Sequence, residues 1–524
     1  MTLLKAWNEK WPNIRVSKAA GTGEKGVLDA GAVKSIEVDK LFDTLNHAQT
    51  TIGQAVLYRS LVQPLDDRQS IQDKQAALKE IQDNAELKAA LERLVSQATK
   101  DESYFHKLLF GLFLGASGTA REDSDIEGYG YVQYRRGTRY IMNFIKGVEN
   151  LEQPKSNYLK ELFESVKTFT KTRTYALMAG PVYITEKGIQ SQIDRKGFSP
   201  AIIFKPQMLK PMLLAMILAS LLVVNVFVPI GFFSFSPMVG IFLIPLSLIY
   251  FPIIGGFDRD SCIKPLREEF RKSDELGQAL DILGRIDELL SLLNYAEQSE
   301  KPMVMPELIA AEHHKINLQA AKNPILSKAD ASYVGNDFVL DGEKLVLITG
   351  PNSGGKTAFC KTVTQIQLLA QLGSYVPAVS ATLSVADKIF YQAPELSQLE
   401  DGEGRFGTEL KRTRDIFLAT TAKSLVVLDE LSEGTTFEEK METSANVLEG
   451  FYQKGNNTLL ITHNHQLVDY FMKKRMGFAL QVEFLDEEPT HKLISGISRV
   501  SHAHRVAKKI GFSKEDIAGY LAKS

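Results

Sequence analysis

Residues 345–357 read Leu-Val-Leu-Ile-Thr-Gly-Pro-Asn-Ser-Gly-Gly-Lys-Thr, an apolar run that ends in a glycine-rich turn and a Lys-Thr pair. Gly350 and Gly355-Lys356-Thr357 stand at the G-x-x-x-x-G-K-[ST] spacing. Glycines let backbone N–H groups turn inward around phosphate oxygens, where side chains would block them. Lys356 can reach the β- and γ-phosphates, and the Thr357 hydroxyl can ligate Mg²⁺. The pattern predicts a helix from about Thr357 to Leu372, with the positive end of its dipole aimed at the same anion. The loop residues Gly350, Pro351, Asn352, Ser353, Gly354, Gly355, Lys356, Thr357 and Ala358 are therefore expected to hold a nucleoside triphosphate, ATP, with Mg²⁺.

Two further strands carry chemistry that such a site needs. Ser424-Leu-Val-Val-Leu-Asp-Glu430 reads as a buried strand ending in two carboxylates. Asp429 would hold Mg²⁺ through its water shell. Glu430 would orient the attacking water, because phosphoryl transfer needs placement and charge stabilisation more than covalent help. Thr458-Leu-Leu-Ile-Thr-His463 reads as a third strand, and His463 could hydrogen-bond the γ-phosphate or the water and sense hydrolysis. A lone histidine at a strand end is more often a packing or surface residue. His465, His313 and His314 have no comparable support, and Gly434-Thr435-Thr436 is as readily a structural turn as a catalytic one.

The elements that must position these residues follow from periodicity. Residues 303–524 alternate apolar strands with helical patterns, which predicts an α/β domain with a largely parallel sheet. Upstream, Ile71, Leu78, Ile81, Leu87, Leu91 and Leu94 recur at helical spacing, as do Leu276, Leu280, Leu283, Ile286, Leu290 and Leu293. Residues 1–35, with Gly21, Gly23, Gly26 and Gly31, read as a loosely structured lead-in. Residues 36–204 read as a helical domain, 259–302 as a helical lever returning to it, and 303–524 as the nucleotide-binding domain.

Between the helical stretches, residues 211–257 contain no Asp, Glu, Lys or Arg. One membrane span takes about 20 apolar residues. Met212–Val228 and Met238–Ile254 flank a turn-rich break, so 205–258 is expected to form a transmembrane helical hairpin in the bilayer. Lys205 and Lys210 lie before the uncharged run, and Arg259, Lys264 and Arg267 after it. The positive-inside bias thus predicts a two-span membrane protein with both termini and the nucleotide site cytoplasmic. A re-entrant hairpin, or an apolar hairpin buried in protein, is the alternative. Arg135, Arg136 and Arg139, and Lys167, Lys171 and Arg173, form basic clusters that read as solvated faces or, beside a membrane, as contacts for acidic headgroups.

Composition sets the outer bounds. A chain of 524 residues with 44% hydrophobic and 24% charged residues can bury a sizeable core. Its net charge of −2 gives no global electrostatic reason to bind nucleic acid. Cys262 and Cys360 show neither metal-ligand spacing nor a disulfide framework. The N-terminus lacks the apolar core of a secretory signal peptide.

Together the three motifs resemble those of the MutS family of DNA mismatch repair ATPases, a branch of the ATP-binding-cassette superfamily. Thr349–Thr357 resembles its phosphate loop, Leu372-Gly-Ser-Tyr-Val-Pro-Ala378 the segment after the first helix, and Leu425–Thr436 its second acidic motif and dimer-contact loop. Thr462-His463 resembles its switch, and Gly496-Ile-Ser-Arg-Val-Ser501 its C-terminal tail. Leu41–Asn46, Thr51-Ile-Gly53 and Leu61–Leu65 resemble the start of its helical core domain. The resemblance implies a homodimer through the ATPase domains, with each site borrowing a segment from the partner. Here that segment is Asp401–Leu410, where Gly404-Arg405-Phe406 replaces the family's Ser-Thr-Phe. The partner-supplied serine is absent. Arg405 could bring positive charge to the γ-phosphate, or it could be a solvated loop residue. Tyr333 stands where the family stacks an aromatic residue on adenine. The sequence has no counterpart of the mismatch-reading and connector modules, and the apolar hairpin falls where the family carries its DNA clamp. The expectation is a membrane-anchored ATPase that moves long helices, acting on an unidentified protein partner. DNA binding is possible but unsupported by charge. Rival readings are a membrane-tethered DNA repair factor, a transporter-like pump, and a nucleotide-gated scaffold.

Overall fold

The computed structural model describes residues 17–113, 129–195, 200–206, 220, 253–330, 332–351, 354–394, 404–431, 437–485, 488–498 and 510–522. In chain order the helices used below are α1 (Ala30–Ser35), α2 (Val38–Leu45), α3 (Thr51–Val62), α4 (Arg68–Asp83), α5 (Ala85–Phe110), α6 (Tyr131–Glu149), α7 (Asn157–Phe169), α8 (Arg173–Ala179), α9 (Lys264–Lys272) and α10 (Asp274–Glu297). They are followed by α11 (Lys356–Gln371), α12 (Gly404–Ala419), α13 (Phe437–Lys454) and α14 (His465–Lys473). The chain divides into two compact units. One holds residues 48–56 and 80–290; the other holds 17–47, 57–79 and 291–524.

The first unit is mainly helical. Asn84 accepts a hydrogen bond from the Leu87 backbone and so starts α5, separating it from α4 within what reads as one amphipathic stretch. Leu87, Leu91, Leu94, Val95, Ala98, Phe105 and Leu108 then line one buried face. The antiparallel partner α6 approaches closely at Gly137 and Gly147, where a Cβ would meet the Phe105 backbone and the Leu94 side chain at 3.0 Å. Val182–Thr185 (β1), Gly188–Gln190 (β2) and Ile202–Phe204 (β3) form a small antiparallel sheet in the order β2-β1-β3.

The basic clusters are partly structural. Arg136 pairs with Asp101 at 2.5 Å and stacks on Tyr104. Lys167 pairs with Glu164, and Arg173 with Asp194 and Glu269.

The transmembrane hairpin, with the membrane localisation and the bilayer contact built on it, is overturned. Among the described residues no helix is long and apolar enough to cross a membrane. The long helices α5, α6 and α10 carry charged residues along their faces, and each charge at the centre of a spanning helix costs about 2.5–3.5 kcal/mol. The segments Met212–Val228 and Met238–Ile254 lie, apart from Ser220 and residues 253–254, outside the described residues.

Two buried acids make the main polar joint of this unit. Asp287 on α10 accepts from the Gln49 and Thr50 backbone and from the Thr50 hydroxyl, at 3.1, 2.7 and 2.6 Å. Glu102 on α5 accepts from the Thr51 and Ile52 backbone at 2.9 and 3.2 Å. Glu102 thus takes the first two N–H groups of α3, the Thr50 hydroxyl accepts the third from Gly53 at 2.9 Å, and Asp287 holds the turn that leads in. Burial pushes both carboxyls above their usual range, against the pull of these donors. Small residues admit the joint. A Cβ on Gly53 would lie 2.1 Å from Asp287 Oδ2, and one on Gly284 would lie 2.5 Å from Val56 Cγ2.

The second unit carries two sheets. Glu307–Ile309 (β4), Ile316–Ala321 (β5), Asn336–Leu340 (β6) and Ser380–Ser384 (β8) form a four-stranded sheet in the order β4-β8-β5-β6. Leu345–Thr349 (β7), Ile389–Gln392 (β9), Leu425–Asp429 (β10), Asn457–Ile461 (β11), Phe478–Leu485 (β12) and Glu488–Ser495 (β13) form the other, in the order β13-β12-β7-β11-β10-β9. Only the β12–β13 pair of this sheet is antiparallel. Its central strands are continuous apolar runs because both faces are covered. Leu345, Leu347, Val426, Leu428 and Leu460 pack with Leu448, Phe451, Leu467 and Phe471 of α13 and α14. The alternate residues face the other side, where α11 lies against β10 and β11.

The described part of the expected lead-in is packed against the second unit's sheet. Val27, Leu28, Ala32 and Ile36 are buried, and Ile389 of the edge strand β9 exchanges backbone hydrogen bonds with Val27 and Asp29.

Gly53→Ala tests the acid joint. The added methyl has no room beside a carboxylate already fixed by Thr50, so chemical denaturation should show a loss of about 1–3 kcal/mol in the helical unit. Wild-type stability would refute the close packing described.

Candidate nucleotide-binding site

Strand register brings the predicted residues to one edge of the sheet. Ile461 of β11 pairs with Ile348 on one side and Asp429 on the other. The residues that follow these three are therefore neighbours: Gly350 and its loop, Glu430, and His463. Thr462 N donates to Ile348 O at 3.1 Å and Glu430 N to Ile461 O at 3.0 Å, which extends the alignment one residue past the strands.

The loop needs its glycines for two separate reasons. Gly350 and Gly355 have φ of 130° and 91°, which side chains rarely adopt. Gly354 is required by contact, since a Cβ there would lie 2.7 Å from a Val482 methyl on β12. The chain then enters α11, whose N-terminal end carries the positive pole of the helix dipole and suits an anion. Lys356 is almost fully buried, and its Nζ donates to Gly350 O at 2.5 Å and Pro351 O at 2.8 Å. Burial pushes its ammonium down to about 8, against the opposing pull of Asp429 and Glu430.

Around the loop, Thr357 Oγ1 donates to Asp429 Oδ2 at 3.2 Å. Two cis ligands about 2.1 Å from one octahedral Mg²⁺ stand about 3 Å apart, so this pair fits that ion, with phosphate and water oxygens completing the shell. Among the described residues no cluster of three His, Cys, Asp or Glu side chains could hold a metal without such help. His463 Nε2 lies 3.4 Å from Glu430 Oε1. Glu430 has φ of 63°, a conformation that costs a non-glycine residue about 1–3 kcal/mol and that clusters at functional sites.

The remaining expected residues are placed less centrally. Ala358 sits in the first turn of α11, where its carbonyl accepts from the Thr362 hydroxyl. The Tyr333 hydroxyl lies 3.4 Å from Thr362 Oγ1, further along the same helix. Asn352 and Ser353 lie outside the described residues, as does the Arg405 side chain, although Arg405 belongs to the first turn of α12.

Two histidines without sequence support belong to this region. A Cβ on Gly355 would stand 3.5 Å from His491 Nδ1, so that ring overhangs the loop. His491 has φ of 60°, and Asn336 brackets it by donating to His491 O and accepting from Leu493 N. Nothing in the sequence marks it.

His314 is fully buried beneath α11. Its Nε2 meets Gln367 Oε1 and its Nδ1 meets Asn457 Nδ2, both at 3.1 Å. Gln367 continues to Gln371 and Ser384 O, and Gln371 to Leu65 O and Ala386 O. Glutamines at 365, 367 and 371, interleaved with Ile366, Leu368, Leu369 and Ala370, are the sequence signal of this network.

A glycine-bent loop between a buried strand and a helix, flanked by acid-bearing and histidine-bearing strand ends, defines the phosphate-loop class of α/β domain. Residues 28–292 match the family model of MutS domain III and residues 346–520 that of MutS domain V. The chain belongs to the MutS family. It is 31% identical over 257 residues to the DNA mismatch repair protein MutS of Prochlorococcus marinus (strain MIT 9301), covering 47% of this chain and 28% of that protein. To the protein of the same name from Parabacteroides distasonis it is 32% identical over 246 residues, covering 45% and 28%. To that from Desulforamulus reducens it is 36% identical over 193 residues, covering 36% and 22%. The chain thus matches less than a third of the length of each of these curated relatives.

Burial pushes the His314 imidazole down to about 4, with the Gln367 hydrogen bond opposing the shift. The unfolded chain, with an ordinary histidine near 6.5, binds the proton first. Stability from neutral His314 is therefore complete above about pH 6.5 and is lost as pH falls toward 4. Between pH 6.5 and 5 the wild type should lose about 2 kcal/mol more than His314→Gln in urea titrations. Parallel pH profiles would contradict this.

Proposed function

We propose that this chain binds Mg-ATP at the described strand edge and hydrolyses it as a homodimer formed through the nucleotide-binding units. The observation that carries this reading is the convergence of Lys356, Thr357, Asp429, Glu430 and His463 from three adjacent strand ends. Relatives named DNA mismatch repair protein MutS support the same kind of reaction.

The chain's own groups divide the work. On nucleotide binding, Lys356 Nζ exchanges its loop carbonyls for phosphate oxygens, and the negative charge strengthens its protonation. Mg²⁺, when bound, neutralises phosphate charge beside Thr357 and Asp429. Glu430 accepts a hydrogen bond from the attacking water and orients it for in-line displacement. His463, in contact with that carboxylate, holds its orientation and registers the loss of the γ-phosphate. Tyr333 offers a flat face to the base. Arg405 of the partner's α12 is the candidate for positive charge at the γ-phosphate, in place of the absent serine. The amide network under α11 passes small movements of that helix to the segment around Leu65.

A DNA-linked role is the second reading, favoured by the printed name of the relatives. It predicts duplex binding that weakens steeply with salt and changes with ATP, which gel-shift titration reads directly.

Glu430→Gln should lower the rate of phosphate release by about 100-fold or more while fluorescent ATP still binds. Lys356→Ala should lose binding as well. Normal turnover by Glu430→Gln would remove that residue from its assigned role, and absence of Mg²⁺-dependent ATP binding by the wild-type protein would end the proposal.

A further inference from the structure

Residues 27–37 touch three elements of the nucleotide-binding unit. Ile389 of the edge strand β9 donates to Val27 O at 2.8 Å, and Asp29 N donates back to Ile389 O at 3.4 Å. Asp29 Oδ1 lies 3.9 Å from Arg412 Nη2 on α12, and the same guanidinium donates to Tyr391 O on β9. Gly31 makes room for it, since a Cβ there would stand 1.9 Å from Arg412 Nη2. At the other end, Ile36 O accepts from Gln365 Nε2 at 2.8 Å, and Glu37 Oε2 meets Lys361 Nζ at 3.2 Å, both on α11. The Lys40 ammonium and, after it, Lys361 hold the Glu37 carboxyl below its usual range. Val27, Leu28, Ala32 and Ile36 bury their side chains, so the segment is anchored rather than laid on the surface.

The two helices it joins have different duties. α11 begins with Lys356 and Thr357, which serve the chain's own site. α12 begins with Gly404 and Arg405, in the stretch that would serve the partner's site. We infer that residues 27–37 are a strap that sets α12 against α11, with Glu37, Asp29 and Arg412 as positioning residues. This rests on the dimeric ATPase reading. Movement of the phosphate-loop helix is thereby passed to the segment offered to the partner through residues 27–37, which are also tied to the edge strand β9.

Gly31→Ala is the sharpest test. Gly31 lies inside α1, where alanine favours the helix, yet its methyl evicts the Arg412 guanidinium. The variant should keep its affinity for fluorescent ATP within about twofold while kcat falls about tenfold. Lys361→Glu should behave in the same way and Lys361→Arg like the wild type. Wild-type kcat in Gly31→Ala, parallel loss of kcat and nucleotide affinity, or failure of Lys361→Arg would overturn the strap. Hydrogen exchange without nucleotide gives the independent arm. Gly31→Ala should speed exchange over Gly404–Ala419 by about tenfold and leave α13 unchanged. Unaltered exchange in α12 overturns the strap even if the wild-type chain hydrolyses nothing, whereas altered exchange with no wild-type turnover upholds the strap and removes only the ATPase reading.

Discussion

Parallel pairing of β7, β11 and β10 is the constraint on which the site depends. In a parallel ladder the strands end on the same side, so whatever follows each strand is delivered to one edge. Ile348, Ile461 and Asp429 stand abreast. Slippage of β11 by one residue would reverse its faces and carry Thr462 and His463 out of line with the loop and Glu430. Side-chain shape opposes that slip, because volumes fitted against α11 on one face and α13 and α14 on the other would no longer match their neighbours. The chemistry is polar and local, but it is held in place by apolar matter on either side of the sheet.

The helix that carries Lys356 needs a second fixation, because a phosphate-binding helix loaded by a highly charged ligand must not slide on a greasy surface. Dispersion is weakly directional, whereas amide hydrogen bonds fix register. Gln365, Gln367 and Gln371 supply that register from the buried face of α11 and reach Ile36, Ser384, Ala386 and Leu65. His314 completes the network only as a neutral ring, since one nitrogen must donate and the other accept. The helical unit uses another strategy at α3, with two buried carboxyls gathering five donors at the start of the helix and in the turn before it.

Legibility in the sequence follows the range of the interactions. Lys356, Thr357, Asp429, Glu430 and His463 were readable because each motif is contiguous and its spacing is set by a single turn. The helical stripe from Leu276 to Leu293 was readable because burial repeats with the helical period, and those leucines and Ile286 are indeed buried. His491 over Gly355, His314 under α11, and Asp287 against Thr50, 237 residues apart, depend on which distant segments meet. No local pattern encodes that meeting. The strap looked loose because glycines at 21, 23, 26 and 31 suggest flexibility, whereas Gly31 is small to admit Arg412. The uncharged run at 211–257 misled because hydropathy measures only the preference of a segment for leaving water, and that preference alone does not specify a bilayer.

The charges at the site explain why a divalent cation is integral to the proposed reaction. Asp429 and Glu430 stand opposite a single buried ammonium, Lys356, which already leans toward neutrality through burial. Two unit charges about 4 Å apart at an effective dielectric of about 20 interact by about 4 kcal/mol. A triphosphate brought to this edge alone would meet that repulsion from each carboxylate, with one lysine and a helix terminus in compensation. Carried in with Mg²⁺, the same ligand would turn Asp429 from a repulsive neighbour into an attractive one and leave Glu430 for the water, as the proposed reaction requires. The backbone at Glu430 is left-handed and its carboxylate lies beside His463, whereas the Asp429 carboxylate lies beside Thr357. The two adjacent acids thus face different partners, as the proposed division into a metal-facing and a water-facing role requires.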